Sequence, residues 1–217
     1  MSTRTAPRPQ PSRGRRTTPA AQAKAKRARV AVAKANYRRR RGLLLWGIAL
    51  AAVAGLIGAM MWSARTTSDA TSRPAPAFTL TDTSGNSVRL ADYRGTNVVL
   101  YFSEGAGCQS CLLQMADIER NGATFSAANI TVLPIVMNTA EQIKADMAAN
   151  GVRTPFLLDD GTVSSAYGTL GKGMHAGLPG HSFVLVDAQG VQRWYGEYPS
   201  MYLSAADLLD QVRKHLP

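Results

Sequence analysis

The chain has 217 residues, a formal net charge of +11 and a hydrophobic fraction of 45%, so it has room for one ordinary domain and an additional segment. The charge is unevenly distributed, because residues 1–42 carry 14 of the 25 Lys and Arg residues and no acidic residue, which leaves residues 43–217 with a net charge of −3. The basic character belongs to the N-terminal tail alone, and the rest of the chain gives no reason to expect nucleic acid as a partner.

The tail, residues 1–41, is rich in Pro, Ser, Thr, Ala, Arg and Lys and nearly lacks large apolar side chains. Such a segment cannot bury enough apolar surface to offset the entropy lost on ordering, so we predict a disordered, solvated basic tail. Residues 20–41 also contain strong helix formers, and the alternative is that they become helical on an anionic membrane surface.

Residues 42–62 form an uncharged apolar segment, long enough at about 1.5 Å per residue to cross a hydrocarbon core of about 30 Å. Trp46 and Trp62 lie near its ends, where indole rings prefer the membrane interface. Residues 38–41 are four consecutive arginines, so we predict a single-pass anchor in the cell membrane, with the N-terminus cytoplasmic and the following domain extracytoplasmic. A cleaved signal peptide is the alternative, but its apolar region is usually only about 7–15 residues long.

After a polar segment at 63–75, which we interpret as a linker, the patterning of residues 76–217 is that of one globular domain. It predicts, in order, a hairpin over 78–90, a strand over 97–102, a helix over 109–125, a strand over 129–136, a helix over 139–149, a strand over 155–158, a helix over 163–170, a hairpin over 182–195 and a helix over 204–215. This order predicts an α/β fold with a mixed central sheet and helices on both faces.

Cys108 and Cys111 are the only cysteines, and they form one Cys-Gln-Ser-Cys motif between a predicted strand and a predicted helix. Cys108 falls at the helix N-terminus, where free backbone N–H groups and the helix dipole favour thiolate, and Cys111 lies one turn further on. Half of a zinc site is the alternative, but zinc needs two more suitably spaced ligands. The chain's histidines show no such spacing: His175, His181 and His215. The motif therefore predicts a thiol–disulfide site that needs no metal and no cofactor.

Three features together resemble the redoxin (AhpC/TSA) group of the thioredoxin superfamily: residues 76–95, the strand at 97–102 and the CxxC motif. That group includes peroxiredoxins and membrane-anchored, extracytoplasmic thiol–disulfide oxidoreductases of the TlpA type. The resemblance implies a thioredoxin-like fold over residues 76–217. It also implies that Cys108 attacks a partner to form a mixed disulfide and that Cys111 resolves it.

The resemblance also implies a cis-proline opposite the CxxC motif, and Pro179 is the candidate. Two positions depart from the family pattern: Gly107 replaces the usual Trp before the first cysteine, and Gln114 replaces a Glu that assists proton transfer in TlpA-type enzymes. Glu104 is a candidate substitute for that acid, and His181 is a further candidate modulator.

These observations predict a membrane-tethered thiol–disulfide oxidoreductase that acts as a monomer on extracytoplasmic protein thiols and disulfides. The neutral residues at 109 and 110 leave Cys108 only modestly acidified, which favours a reductant or isomerase over an oxidant.

Two alternatives remain. A thiol peroxidase would need a Pro-x-x-x-Thr/Ser-x-x-Cys frame, but Tyr101 and Gly105 occupy its positions. A copper-binding module would combine soft sulfur ligands with imidazole, using the cysteines with Met174, His175 or His181, but such proteins carry CxxxC.

Overall fold

The computed structural model describes residues 19–63, 65–171 and 176–217. The chain divides near residue 60 into two compact units, which are described separately. The N-terminal part is a helix, α1 (Pro19–Ser63), and its stretch from Arg29 to Trp62 is long and apolar enough to cross a membrane, a test that a signal sequence also passes.

The predicted disordered tail is wrong for residues 19–41, which are helical. Ala, Lys and Arg are strong helix formers, and a proline at the first helical position costs nothing because its missing N–H would have had no partner. Residues 1–18 lie outside the described residues.

The second unit is built on an 8-stranded sheet. Its strands are β1 (Thr67–Pro74), β2 (Thr79–Asp82), β3 (Ser87–Arg89), β4 (Asn97–Phe102), β5 (Ile130–Val136), β6 (Leu157–Leu158), β7 (Ser182–Val186) and β8 (Val191–Glu197). Its helices are α2 (Gln109–Arg120), α3 (Gly122–Ala127), α4 (Ala140–Ala149), α5 (Thr162–Tyr167) and α6 (Ala205–His215), with a 3-10 turn at Leu90–Tyr93.

The strand order is β1-β8-β7-β4-β5-β6-β2-β3. β4 pairs parallel with β5 and β5 parallel with β6, whereas the other neighbours are antiparallel. The predicted mixed sheet and both predicted hairpins are therefore confirmed, and the fold is thioredoxin-like.

The sheet separates two apolar clusters, and β4 contributes alternate residues to each. Val99 and Tyr101 pack in the cluster that contains Cys111 and residues of α2 and α6, while Val98, Leu100 and Phe102 pack in the cluster with α5. All five are at most 1% exposed, which explains why β4 is apolar along its whole length rather than alternating.

The predicted linker at 63–75 is wrong for residues 67–74, which form the edge strand β1 on β8. Trp194 Nε1 donates to Ser68 Oγ at 2.8 Å, and Arg73 Nε donates to Gln192 Oε1 at 2.9 Å. β1 is exposed along nearly all its length, so it needs no apolar side chains and leaves no periodic signal.

The helix predicted over 109–125 is interrupted at Asn121, which ends α2 and precedes α3. The Asn121 amide donates to the Asp117 carbonyl at 2.9 Å and caps the C-terminus of α2. The helix predicted over 163–170 ends at Tyr167, and the strand predicted over 155–158 is only Leu157–Leu158. Thr139 and Gln142 form a capping box at the start of α4.

Candidate active site

The CxxC motif lies where β4 ends and α2 begins, as predicted. Cys108 is the N-cap residue of α2, and the Cys111 N–H lies 3.0 Å from the Cys108 carbonyl and 3.3 Å from Cys108 Sγ. The two cysteines form a disulfide with a Cα–Cα distance of 5.3 Å. In the reduced protein the same N–H groups would stabilise a Cys108 thiolate.

The two cysteines differ in access to solvent. Cys108 is half-buried, whereas Cys111 is 0% exposed within the core cluster. A partner molecule can reach only Cys108 without disturbing the core. The difference in exposure agrees with the roles of nucleophile for Cys108 and resolving thiol for Cys111.

On the Cys108 side of the cysteine pair, which we call the outer side, polar side chains that follow β5 in the chain accept hydrogen bonds from the loop before Cys108. The Ala106 N–H donates to Asn138 Oδ1 at 2.9 Å, and the Gly107 N–H donates to Asp146 Oδ2 at 2.7 Å. These contacts arise because β4 and β5 are parallel, so the segments after their carboxyl ends meet at one edge of the sheet.

Gln109, the first residue of α2, bonds to the same group of side chains, since its Nε2 donates to Asn150 Oδ1 at 2.6 Å. Gly105 lies against Asn138 and Val136 with φ of +75°, and a Cβ at Gly105 would collide with both of these residues. The side chains of Asn138, Asp146 and Asn150 thus fix both the loop before Cys108 and the residue after it.

On the Cys111 side of the cysteine pair, which we call the inner side, the Tyr101 hydroxyl lies between Cys111 and His181 and contacts both. The Tyr101 hydroxyl lies 3.2 Å from the Cys111 carbonyl oxygen and 3.2 Å from His181 Nδ1. Both contacts are hydrogen bonds when the Tyr101 O–H donates to Cys111 and the His181 Nδ1–H donates to Tyr101. Phe183 stacks on the Tyr101 ring at a centroid distance of 4.9 Å.

Burial controls the protonation of His181 and Tyr101. Burial lowers the pKa of His181 to about 4 and raises the pKa of Tyr101 well above its usual value of 10. Both side chains are therefore neutral near neutral pH.

Gln114 is also buried, at 0% exposure, one turn along α2 from Cys111. Its Oε1 accepts the Leu203 N–H at 2.7 Å, which fixes the loop before α6 against α2. Its Nε2 has no hydrogen-bond partner among the described residues.

The prediction of a cis bond at Pro179 is wrong, because no peptide bond of the described residues is cis. Pro179 is buried and forms an isolated β-bridge with Leu170. The residue of this segment that joins the cysteine network is His181, which directly precedes β7. The sequence had indicated Pro179 as the main residue of this segment and His181 only as a further candidate modulator.

Other candidate residues are placed as follows. Glu104 is half-buried in the loop between β4 and Cys108, and its role as a modulator stays a prediction. Met174 and His175 lie outside the described residues. Within the described ranges, no cluster of three or more His, Cys, Asp or Glu residues could hold a metal ion.

Sequence reasoning missed three residues of this site: Asn138, Asp146 and Asn150. Their side chains reach the CxxC motif or the two residues before it across 32 to 41 positions of sequence. One signal was available, since Asn138 comes two positions after the strand predicted over 129–136, and the ends of parallel strands gather at one edge of the sheet.

The sequence profile of one protein family, described as the AhpC/TSA family, matches residues 71–195. A protein of Mycobacterium tuberculosis strain H37Rv, provisionally named a peroxiredoxin, is 39% identical over 99 residues, which are 45% of this chain and 63% of that protein. The chain thus spans less than two thirds of that relative's length.

Two solved structures are similar. The thioredoxin domain of a thiol-disulfide oxidoreductase from Bacteroides vulgatus has a TM-score of 0.53 at 25% identity, covering 69% of this chain and 99% of that chain. Peroxidoxin BcpB from Mycobacterium tuberculosis has a TM-score of 0.58 at 18% identity, covering 68% of this chain and 99% of that chain. The second likeness concerns the fold alone.

Proposed function

Because the chain belongs to the AhpC/TSA family, we propose that it is a thiol–disulfide oxidoreductase whose Cys108–Cys111 pair exchanges disulfides with protein substrates. One observation carries the proposal: a half-buried Cys108 forms a disulfide with a Cys111 that is 0% exposed. This asymmetry suits a nucleophile that meets large partners and a resolving thiol that does not.

The exchange balances as a two-electron transfer. The Cys108 thiolate attacks one sulfur of a substrate disulfide, and the first substrate thiolate leaves and takes up a proton. Cys111 loses its proton and attacks Cys108 Sγ, which re-forms the Cys108–Cys111 disulfide and releases the second substrate thiol. The substrate is reduced, the cysteine pair is oxidised, and a dithiol reductant must restore the pair.

The surroundings of Cys108 support the reducing direction. The residues between the cysteines, Gln109 and Ser110, carry no charge, and the Asp146 carboxylate accepts the N–H of the residue before Cys108. A negative charge there disfavours the thiolate and hence the reduced form that a strong oxidant would need to stabilise.

The proposal includes a membrane tether. The apolar helix from Arg29 to Trp62 is long enough to cross a bilayer, and the arginines at 38–41 favour a cytoplasmic N-terminus. The domain would then act as a monomer on proteins outside the cytoplasm. A reporter that is active only outside the cytoplasm should work when fused after Pro217, and activity of a cytoplasm-specific reporter would contradict the topology.

A thiol peroxidase is the second candidate, because the similar Mycobacterium tuberculosis protein is provisionally named a peroxiredoxin. The site lacks the hydroxyl that would hold a peroxide three positions before the nucleophile, where Gly105 has φ of +75° and no room for a side chain. The proposal therefore places peroxide reduction second.

One experiment separates the two candidates. The full chain, purified in detergent, is supplied with a dithiol reductant and either insulin or hydrogen peroxide, with the Cys108→Ser variant as control. We expect insulin reduction well above the control and peroxide consumption equal to it. Peroxide turnover without insulin reduction would instead establish the peroxidase.

A further inference from the structure

The segment between the apolar helix and the sheet is short. α1 ends at Ser63, and β1 begins at Thr67. Trp62, the last residue of the apolar segment, comes five positions before Thr67, and five residues span at most about 18 Å even when they are fully extended. The strand β1 therefore replaces most of the predicted linker and leaves only a short connection.

Arg65 makes this connection shorter still. Its N–H donates to the Trp62 carbonyl oxygen at 3.4 Å. Its guanidinium carbon lies 4.1 Å from the centre of the Trp62 ring, which is a cation–π contact. The chain thus turns back on Trp62 before it enters the sheet, so a reach of about 18 Å is an upper limit.

The chain enters the sheet at Thr67, which pairs with Glu197 of β8. The next residue, Ser68, accepts a hydrogen bond from the buried Trp194 indole at 2.8 Å. The entry point is therefore held by both backbone pairing and a side-chain contact, and the short connection begins from a fixed position on the domain.

Thr67 lies at the same edge of the sheet as the cysteine pair. Glu197, the partner of Thr67, also pairs with Ser182 of β7. Ser182 pairs in turn with Phe102, the last residue of β4. The four residues form one row across β1, β8, β7 and β4, whose ends are three strand spacings, or about 15 Å, apart. The CxxC motif follows Phe102 beyond this edge.

The opposite edge of the sheet is farther from the entry point. β1 runs away from the cysteine edge, and its last residue, Pro74, pairs with Val191 at the start of β8. The turn between β7 and β8, which contains the exposed Gln189, lies at that opposite edge. A strand of the length of β8 separates the two edges by about 20 Å.

These distances restrict a chain that is anchored through residues 42–62. A domain of this length is about 40 Å across, which is more than twice the upper limit of about 18 Å for the connection. Thr67 therefore cannot reach the side of the domain that faces away from the bilayer. The cysteine edge, which carries Thr67, stays on the half of the domain that faces the bilayer.

Resting on the proposed tether and exchange reaction, we propose that the Cys108–Cys111 pair works at the membrane surface and that its partners are membrane-bound proteins whose cysteines lie at that surface. The exchange itself is unchanged, since Cys108 attacks the partner disulfide and Cys111 resolves the adduct. A partner in the same membrane meets Cys108 by lateral diffusion, whereas a protein that diffuses freely must approach the narrow space between domain and bilayer.

The first test compares two disulfides of the same chemistry. The full chain in phospholipid vesicles, with a dithiol reductant, receives an aromatic disulfide that is either attached to a lipid headgroup or free in solution. Inserting about 20 Gly and Ser residues between Arg65 and Thr66 makes a long, flexible tether. This insertion should slow reduction of the headgroup disulfide about 2–10-fold and leave reduction of the soluble disulfide within about twofold. The same insertion after Pro217 should change neither rate.

The outcomes of this test are distinguishable. Equal rates for the headgroup disulfide in the wild type and in the chain with the longer tether would overturn the proposal. Failure of the wild type to reduce the soluble disulfide would instead contradict the exchange reaction. The position of the site is then decided by a measurement that needs no exchange.

That measurement uses lipid headgroups that carry a short-range quencher. A fluorophore is attached to Cys108 in the Cys111→Ser variant, and the same fluorophore is attached at position 189 in a Gln189→Cys variant whose two native cysteines are changed to serine. Because the two edges are about 20 Å apart, we expect stronger quenching at position 108. Equal quenching, or stronger quenching at position 189, would overturn the proposal, and no quenching at either position would overturn it through the tether itself.

Discussion

The outer and inner sides of the cysteine pair differ in the side chains that surround them. On the outer side, the glycine-containing loop before Cys108 and the residue after it are held by hydrogen bonds to Asn138, Asp146 and Asn150, partly in contact with solvent. On the inner side, Cys111 is fully buried among aromatic rings, and its carbonyl is bonded to Tyr101.

The difference shows how two identical side chains acquire different roles. The helix N-terminus and solvent stabilise a charge on Cys108, whereas burial destabilises a charge on Cys111. Neither effect needs a charged residue between the cysteines, and position relative to the sheet and helix is sufficient.

The strongest test of this difference exchanges each cysteine for serine. Cys111→Ser should accumulate mixed disulfides with partner proteins, because Cys108 still attacks and nothing resolves the adduct. Cys108→Ser should trap few adducts and lose exchange activity completely. Non-reducing electrophoresis of both variants measures the trapped fraction, and better trapping by Cys108→Ser would reverse the assigned roles.

The outer side can be weakened through a matched pair of glycines. Gly105 and Gly107 both have positive φ, at +75° and +85°, but only Gly105 lacks space for a Cβ. Gly107→Ala should lower the free energy of unfolding by about 1 kcal/mol from backbone strain, and Gly105→Ala by about 2–4 kcal/mol because overpacking adds to it. Denaturant unfolding measures both, and equal losses would show that the contact with Asn138 is unimportant.

The inner side should be sensitive to acid through His181. Its pKa is lowered by burial from 6.5 to about 4, so the unfolded chain binds the proton first as the pH falls. The free energy of unfolding should therefore decrease between pH 6.5 and about 4, by up to about 3 kcal/mol. His181→Phe should flatten this part of the pH profile, and an unchanged slope in that variant would show that another group is responsible.

Two carboxylates act in a different pH range. Burial alone would raise the pKa values of Asp82 and Asp187, but hydrogen bonds from neighbouring backbone N–H groups lower both below the ordinary value of 3.8. Their stabilising effect is complete above the ordinary value of 3.8 and is lost as the pH falls from there through the lower folded values. Their loss of stabilisation therefore falls mostly below the pH range in which His181 acts.

The sequence predicted the parts of this structure that have a periodic or local signal. The apolar strand β4 and the CxxC motif at the start of α2 both depend on neighbouring residues. The half-buried position of Cys108 and the buried position of Cys111 follow from the position of a helix N-terminus.

The missed parts have no local signal. β1 is polar and exposed, and only its pairing with β8 makes it a strand. Tyr101 meets His181 across 80 positions of sequence, and Gly107 meets Asp146 across 39. Such contacts are specified by sheet order and register, which a single sequence does not encode in any short pattern.

The finest test of the outer side removes one charge and keeps its hydrogen bond. In Asp146→Asn the side-chain carbonyl can still accept the Gly107 N–H, which Asp146 Oδ2 now accepts at 2.7 Å, but the negative charge beside Cys108 is gone. The Cys108 thiolate should become easier to form, so its pKa should fall by a few tenths of a unit and at most by about one. The reduction potential of the pair should rise by about 10–20 mV, because a more stable thiolate favours the reduced form. Alkylation rates against pH and equilibration with glutathione measure the two shifts.

The matched control is Asp210→Asn, which removes a carboxylate on α6 that is paired with Arg213 and should shift neither value. A rise in the Cys108 pKa would mean that the variant loses the loop geometry instead, and an equal shift in the control would mean that only the net charge of the domain matters.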